Sequence, residues 1–371
     1  MSNQPPLKPL VMLGWLFTVA LFAILVSNAV VRDPDSQLYE ALARSLEEQP
    51  LARLIAPVWP AGRAKSGIFV EHLACSLWPA AMLGRLGFAR GALLANFLWY
   101  LWVTWLLHRL SRALAGPEAA WAATFAWVVS PLSVQTLLRA NHEPALLVAY
   151  LGALLCLTGP ARLRRALGLP LFLVLAVAIK GGLGLLIFPA ALCGYWVLSR
   201  RRAQLLQIAS GLALTVAFCA LYELWFRRVV GGSFFAGYLW SQGQGTVSEQ
   251  RESALRALTN PLYYASNALW FALPGSLATL LDRRAEGPLR QPRRLALWVF
   301  GALLVPLSLM ARRAVRYLFP AIALLALPGG EALCRRFPKL RDALEKHQAL
   351  LPWLLMALLL CITAARVWLS R

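Results

Sequence analysis

A few ionisable residues interrupt an otherwise apolar chain, and their types suit acid–base and anion-binding chemistry. Asp33 and Asp35 follow the first hydrophobic segment, residues 10–31. Glu143 lies in a short polar stretch much later in the chain, and Lys180 is followed by two glycines in the middle of an apolar run. Charged residues inside or beside apolar segments of this length are costly, and they usually mark chemistry or a transport path.

The carboxylates and the lysine each allow a functional and a structural interpretation. Two carboxylates that converge from separate loops could provide a general base or clamp a cation. They could instead cap the helix that follows, an interpretation we favour for Asp33 but not for Asp35. Lys180 could snorkel to a membrane interface or bind an anion. A phosphate could then approach the backbone of the adjacent glycines closely.

The composition predicts an integral membrane protein. The chain has 371 residues, of which 59% are hydrophobic and 15 are Trp, and its mean hydropathy is +0.60. Several apolar runs approach the roughly 20 residues that a spanning helix needs. The short alternating segments of a membrane β-barrel are absent from the sequence. The fold class predicted is therefore all-α, a polytopic transmembrane helical bundle.

The charge pattern argues against a nucleic-acid-binding protein, and the cysteines argue against a metal-binding or disulfide-stabilised one. The net charge of +21 comes from short arginine clusters between apolar runs, the pattern of cytoplasmic loops in membrane proteins. We therefore expect membrane lipids as partners and no nucleic acid. The six cysteines have neither metal-ligand spacing nor a disulfide pattern.

The positions of the arginine clusters predict the topology. All of them lie on the cytoplasmic side if the N-terminus is cytoplasmic and the stretch Gly67–Phe88 does not span. This leaves about eleven spans, with that stretch as a helix along the outer face. Leu167–Val197 must then cross twice and turn near Lys180. The predicted spans lie near 10–31, 91–107, 119–138, 145–158, 167–179, 183–198, 205–225, 266–281, 295–310, 317–333 and 349–367.

This topology predicts a single membrane domain, residues 1–371, without a soluble domain after the last span. Its two large outer loops are 32–90 and 226–265. Apolar residues at helical spacing predict an amphipathic helix in the first loop, from Leu38 to Leu46. Three further arginines, Arg312, Arg313 and Arg316, fall on the outer side, where orientation does not require positive charge. They predict an anionic ligand or contact with lipid headgroups.

Several short motifs, in the same order along nearly the whole chain, resemble those of the glycosyltransferase C superfamily. Within that superfamily, the motifs resemble those of the protein O-mannosyltransferases and the aminoarabinose transferases of lipid A. The matching stretches are Asp35–Arg44, Glu71-His72, Glu143-Pro144, Lys180-Gly181, Asn260–Tyr264, Leu273–Gly275 and Arg316–Pro320. Ser36 and Glu143 depart from the pattern, since relatives have Glu and Asp there.

The resemblance implies an enzyme that moves a sugar from a polyprenyl phosphate to an acceptor hydroxyl on a glycan, lipid or protein. Asp35 would act as the base in an inverting reaction, and Glu143 would orient the reacting groups. The active site would face the periplasm from a bacterial inner membrane, with no cofactor and no metal. The substrate-binding residues implied are Asp33, Tyr39, Glu71, His72, Lys180, Arg313, Arg316 and Tyr317.

Two other functions are compatible with the same residues. In a transporter or lipid flippase, Asp35, Glu143 and Lys180 would line an ion or substrate path. Such proteins are often built from inverted repeats, and the sequence has no such symmetry. In a non-catalytic subunit of an envelope complex, all three residues would tolerate substitution.

Overall fold

The computed structural model describes residues 19–26, 29, 33–61, 67–159, 163–247, 253–282, 290–309 and 314–369. Over these ranges the chain is helical, and its β structure is limited to one isolated bridge between Val58 and Ile68. The predicted all-α polytopic membrane fold is confirmed. Most of the predicted first span, together with Arg312 and Arg313, lies outside the described residues.

The helices follow the apolar runs of the sequence. In the first half of the chain they are α1 (19–26), α2 (Pro34–Glu47), α3 (Trp78–Arg85), α4 (Gly91–Ala115), α5 (Pro117–Val128), α6 (Pro131–Thr136), α7 (Glu143–Leu157), α8 (Leu163–Lys180) and α9 (Ile187–Leu198). In the second half they are α10 (Arg202–Val230), α11 (Phe234–Val247), α12 (Ser253–Phe271), α13 (Gly275–Leu281), α14 (Arg290–Ser308), α15 (Phe319–Leu324), α16 (Ala326–Arg336), α17 (Pro338–Lys346) and α18 (Leu351–Leu369).

Five helical segments of the described chain are long and apolar enough to cross a membrane, judged by length and composition. They are Gly91–Ala115, Ala166–Leu198, Arg202–Val230, Val315–Arg336 and Leu351–Leu369. The count of about eleven spans stays a prediction. One predicted span, 119–138, is two helices, because Pro131 begins a new helix after α5. Ser130 caps α6 by accepting a hydrogen bond from the Ser133 N–H at 3.1 Å.

The chain reverses direction after Lys180, as the sequence predicts. A 3₁₀ turn, Gly181–Leu186, brings Gly184 back against the carbonyl oxygen of Ala176, where an added Cβ would lie only 2.2 Å away. Helix α9 then runs back along α7, and Gly194 packs against Leu154. Glycine is required at Gly184 because any side chain would collide with backbone.

The reversal gives the bundle two chemically different ends. We call the end where α7 begins and α8 ends the site end. At the opposite end, here called the arginine end, Leu114, Arg200 and Arg294 line one cavity. Arg335, at the end of α16, also lies there beside Asp282. The described members of the predicted cytoplasmic clusters therefore share one end, and Arg316 lies at the other.

The first large loop is a small packed unit, and its predicted surface helix is only partly helical. Gly67–Phe88 begins with extended chain and becomes helical at a 3₁₀ turn, Ala74–Leu77, which leads into α3. The prediction of one helix over the whole stretch is therefore wrong. Helix α3 begins with Trp78 and Pro79. The chain before it is fixed by the bridge between Val58 and Ile68 and by the buried Phe69 side chain.

Helix α2 has the predicted apolar face, with one exception. Leu42 and Leu46 are fully buried beneath it. Glu40, which the helical wheel places away from that face, is also buried, and its carboxylate accepts a hydrogen bond from the Ala92 N–H at 3.2 Å. Burial raises the pKa of Glu40, while nearby Arg44 opposes the shift. Glu40 thus joins α2 to the free N–H groups that begin α4.

The second predicted loop, 226–265, is mostly helical. Helix α10 continues to Val230, and α11 and α12 occupy most of the described remainder. Gly231 ends α10 with a positive φ of 83°, a conformation in which glycine carries no steric cost.

Candidate active site

Asp33 has a structural role at the start of α2. Its side chain caps the helix by accepting hydrogen bonds from the Ser36 N–H at 3.0 Å and the Ser36 hydroxyl at 2.9 Å. Arg139 lies 3.3 Å from the same carboxylate. The Ser36 hydroxyl in turn accepts a hydrogen bond from the Ala140 N–H at 3.0 Å. The capping interpretation of Asp33 therefore fits the structure, although a contact with substrate stays a prediction.

Asp35 lies one residue inside α2 and points to a different partner. Its carboxylate pairs with the guanidinium of Arg316, from the 3₁₀ turn Val315–Leu318. The Asp35 side chain is 47% exposed and that of Arg316 is 29% exposed. Of the two aspartates in this loop, Asp33 and Asp35, Asp35 therefore has the more accessible carboxylate.

Glu143 and Lys180 form a buried ion pair beside Asp35. The Lys180 Nζ lies 3.2 Å from Glu143 Oε1, and the two side chains are 4% and 2% exposed. Arg316 Nε is 3.9 Å from the same oxygen. The second carboxylate oxygen of Glu143 has no hydrogen-bond partner among the described residues. Arg316 thus lies between two carboxylates, and Glu143 lies between two cations.

The helix ends explain why these charges are tolerated here. Glu143 is in the first turn of α7, where unpaired N–H groups favour a negative charge, and Lys180 ends α8, where carbonyl groups favour a positive charge. Since α7 and α8 are antiparallel neighbours, these two ends meet. The Asn141 side chain also accepts a hydrogen bond from the Glu143 N–H at 3.3 Å.

A cluster of rings covers one side of the ion pair. Tyr39 packs edge-on against His142 at 4.2 Å between ring centroids, and His142 packs against His72 at 5.3 Å. His142 is buried, and that burial lowers its pKa well below the ordinary value, with Lys180 opposing its protonation further. Burial likewise raises the pKa of Tyr39, so its hydroxyl stays protonated.

Little space is left on the Tyr39 side of the buried ion pair. A cavity of about 20 Å³ lies beside Tyr39, Asn96 and His142, which is room for about one water molecule.

Tyr238, a residue that the sequence prediction left out, lies on the glycines next to Lys180. Its hydroxyl accepts a hydrogen bond from the Gly182 N–H at 3.0 Å. In the conformation described, the Tyr238 hydroxyl lies against the Gly182 N–H. The expectation that a phosphate approaches these glycines stays a prediction. The sequence offers one signal for Tyr238, its position among the aromatic residues of the loop 226–265.

The segment that carries Arg316 is held by α12. The Asn260 side chain donates a hydrogen bond to the Ser308 carbonyl at 2.9 Å, and the Tyr264 hydroxyl accepts one from the Ala314 N–H at 3.4 Å. These contacts lie on either side of residues 310–313. The motif Asn260–Tyr264 therefore positions Arg316, while Arg313, a predicted ligand, lies outside the described residues.

The remaining predicted residues lie at the edge of the site. The Tyr317 ring is 5.9 Å from the Arg316 guanidinium carbon. Glu71 is half-buried beside His72, and its charge acts on Tyr39. Among the described residues, no group of three or more His, Cys, Asp or Glu side chains could hold a metal ion. The metal-free reaction stays a prediction.

Two solved structures of one protein match nearly the whole chain. ArnT from Cupriavidus metallidurans bound to undecaprenyl phosphate gives a TM-score of 0.65 at 16% identity, covering 97% of this chain and 75% of that one. Its apo state gives 0.60 at 15% identity, covering 97% and 76%. The chain has the fold of ArnT. ArnT is one of the lipid A aminoarabinose transferases that the motifs resemble, so the fold predicted from that resemblance is confirmed.

A third solved structure matches this chain more weakly. The archaeal oligosaccharyltransferase AglB from Archaeoglobus fulgidus, in complex with an inhibitory peptide and a dolichol phosphate, has a TM-score of 0.49 at 14% identity, covering 96% of this chain and 56% of that one. No protein-family model matches the sequence, and no curated protein matches it.

Proposed function

We propose that this ArnT-like chain is a glycosyltransferase that moves a sugar from a polyprenyl phosphate to an acceptor hydroxyl. The observation that carries the proposal is the convergence of Asp35, Glu143, Lys180 and Arg316 from four separate segments at one end of the bundle. The ArnT fold supports it, because ArnT has been solved with undecaprenyl phosphate bound. The acceptor is a glycan, lipid or protein.

In this mechanism Asp35 is the base. The carboxylate takes the proton of the acceptor hydroxyl as the acceptor oxygen forms a bond to the anomeric carbon. The bond from that carbon to the phosphate oxygen breaks on the opposite face, which inverts the configuration. The electron pair leaves with the polyprenyl phosphate. A positioned base of this kind contributes on the order of 10²–10⁴-fold to the rate.

Lys180 and Arg316 supply the positive charge for the phosphate. The donor is a phosphate diester with one negative charge, and its product is a monoester that gains a second. Preorganised cations in a site shielded from water stabilise such developing charge strongly. Glu143 is a positioning residue in this scheme, since it holds both cations within 4 Å of one oxygen.

The ion pair formed by Asp35 and Arg316 links proton uptake from the acceptor to departure of the polyprenyl phosphate. While Asp35 is ionised, its charge holds Arg316. When Asp35 takes the proton it loses that charge, and Arg316 is free to interact with the phosphate as the phosphate becomes more negative. The net charge of the site is therefore the same before and after transfer.

The location proposed is a bacterial inner membrane, with the site end facing the periplasm. The arginine end carries the described cationic clusters, and such clusters stay on the cytoplasmic side of membrane proteins. The site end would then meet donors whose sugar has been flipped outward.

The first test is a donor panel. Membranes with the wild type would receive polyprenyl phosphates that carry different sugars, and mass spectrometry would follow donor consumption and product formation. We expect one donor class to be consumed by the wild type and by Asp33→Asn, but not by Asp35→Asn. If the folded wild type consumes no donor across the panel, the transferase proposal fails and transport becomes the better explanation.

A further inference from the structure

The arginine end contains a groove that the proposed reaction does not use. A cavity of about 1000 Å³ opens between the ends of α4, α9 and α14. A second cavity of about 440 Å³ continues along α14. Cys193 and Trp298 line both cavities, so the two adjoin at these side chains. We refer to the two cavities together as the arginine-end groove.

The two parts of the groove differ in chemistry. The mouth carries Arg200 and Arg294, and none of the described residues that line it is acidic. The part along α14 is lined by apolar residues, among them Leu297, Gly301 and Val305. The groove thus has two positive charges at one end and an apolar channel at the other.

Arg200 is held at the mouth by its own backbone. It has a φ of 56°, and its N–H donates a hydrogen bond to the Tyr195 carbonyl at 2.9 Å after α9 ends. The Arg200 Nε donates to the Trp196 carbonyl at 3.1 Å, and the guanidinium lies over the Trp196 ring at 5.5 Å. These contacts use the Nε–H of the guanidinium, and Arg200 lines the mouth of the groove.

We propose that the arginine-end groove binds one anionic phospholipid of the surrounding bilayer. The phosphate would pair with Arg200 and Arg294, and one acyl chain would lie along α14 past Trp298 and Gly301. Basic pockets between membrane helices bind anionic headgroups in this way. Trp196 lines the mouth and Trp298 lines both parts. Trp residues favour the headgroup level of a membrane.

The observations favour this occupant over a free anion or a soluble partner. A free phosphate would use the arginines but leave the apolar channel empty. The channel opens on exposed Leu297 and Val305, which lie on the apolar surface that a bilayer covers. An amphiphile with one anionic end satisfies both parts at once.

Two sets of variants test the proposal. Native mass spectrometry of the full-length protein would measure binding of phosphatidylglycerol and of phosphatidylcholine. Arg200→Gln with Arg294→Gln removes two charges, each worth about 1 kcal/mol near a membrane surface, so phosphatidylglycerol should bind about 25-fold more weakly. Arg112→Gln with Arg336→Gln is the control, since both residues are exposed and outside the groove.

Gly301→Leu tests the channel without touching the arginines. A Cβ at Gly301 would meet nothing within 4 Å, so the variant should fold and fill the channel. We expect it to weaken phosphatidylglycerol binding while leaving the binding of inorganic phosphate unchanged.

Three results would overturn the proposal. Phosphatidylcholine could bind as tightly as phosphatidylglycerol, the control pair could lose as much binding as the groove pair, or Gly301→Leu could bind lipid like the wild type. Competition by inorganic phosphate at equal concentration would show a free-anion site instead.

Discussion

The Lys180 Nζ lies 3.2 Å from Glu143 Oε1, and both side chains are almost fully buried where α8 ends and α7 begins. Two charges withdrawn from water in this way depend on each other. Removing one leaves the other buried without its partner, and that is usually more damaging than removing both.

The first prediction uses this dependence to separate stability from activity. Lys180→Met should lower the free energy of unfolding by about 3 kcal/mol, because Glu143 keeps only the more distant Arg316. Adding Glu143→Leu should recover most of that loss, while activity stays absent because the phosphate still lacks its lysine. Thermal unfolding in detergent and the donor-consumption assay measure the two effects. A double variant that regains activity would remove Lys180 from the reaction.

A second prediction distinguishes the two aspartates of the first loop. Asp35→Asn should reduce transfer by about 10²–10⁴-fold, since the amide cannot accept the hydroxyl proton. Asp33→Asn should keep most activity, because Asn caps helices about as well as Asp. Its pairing with Arg139 is partly exposed and worth at most about 1 kcal/mol. Initial rates on the same donor decide the matter, and the opposite ranking would make Asp33 the base.

A third prediction concerns pH. Burial beside Lys180, His72 and Arg316 holds the pKa of His142 well below its ordinary value. Below about pH 6.5 the unfolded chain takes up a proton at His142 and the folded protein does not, so the free energy of unfolding falls by up to about 1.4 kcal/mol per pH unit. Above that pH, the stabilising contribution of neutral His142 to the free energy of unfolding is fully present.

Replacing His142 by Gln should remove this dependence. Melting temperatures would be compared at pH 7.5 and 5.5, and the wild type should lose more stability across that interval than His142→Gln does. Equal losses in the two proteins would show that His142 is protonated in the folded state.

A fourth prediction compares two glycines of the bundle. Gly184→Ala would place its Cβ 2.2 Å from the Ala176 carbonyl oxygen, whereas Gly301→Ala would meet nothing. Gly184→Ala should therefore destabilise the protein and disturb the position of Lys180. Gly301→Ala should leave stability unchanged or raise it by about 0.5–1 kcal/mol. Thermal unfolding of both variants measures the difference, and a fully stable Gly184→Ala would contradict the tight turn.

The sequence predicts the helices and the charged centre for a common reason. Apolar runs and arginine clusters specify which chain segments cross and which end each loop joins, so Asp35, Glu143, Lys180 and Arg316 are predicted at one end. Their contacts with one another are seen only in the structure. The turn after Lys180 follows from the same argument, since the chain between two basic clusters on one side must cross twice.

Other features depend on how helices pack sideways, which periodicity does not encode. Tyr238 reaches Gly182 because α11 folds over the turn, and Glu40 is buried because α4 begins next to α2. His142 directly precedes Glu143, the residue for which the sequence analysis singled out this stretch. The place of His142 in the site is seen only from its contacts with Tyr39 and His72. Each of these contacts joins segments that are distant in the chain.

The hydroxyl of Ser36 has a mechanical consequence. It contacts both Asp33 and the Ala140 N–H, so the start of α2 is fastened to the segment that leads into α7. Asp35 adjoins Ser36, and Glu143 follows Ala140 in the segment that Ser36 holds. One hydroxyl group therefore links the backbone positions of the two carboxylates.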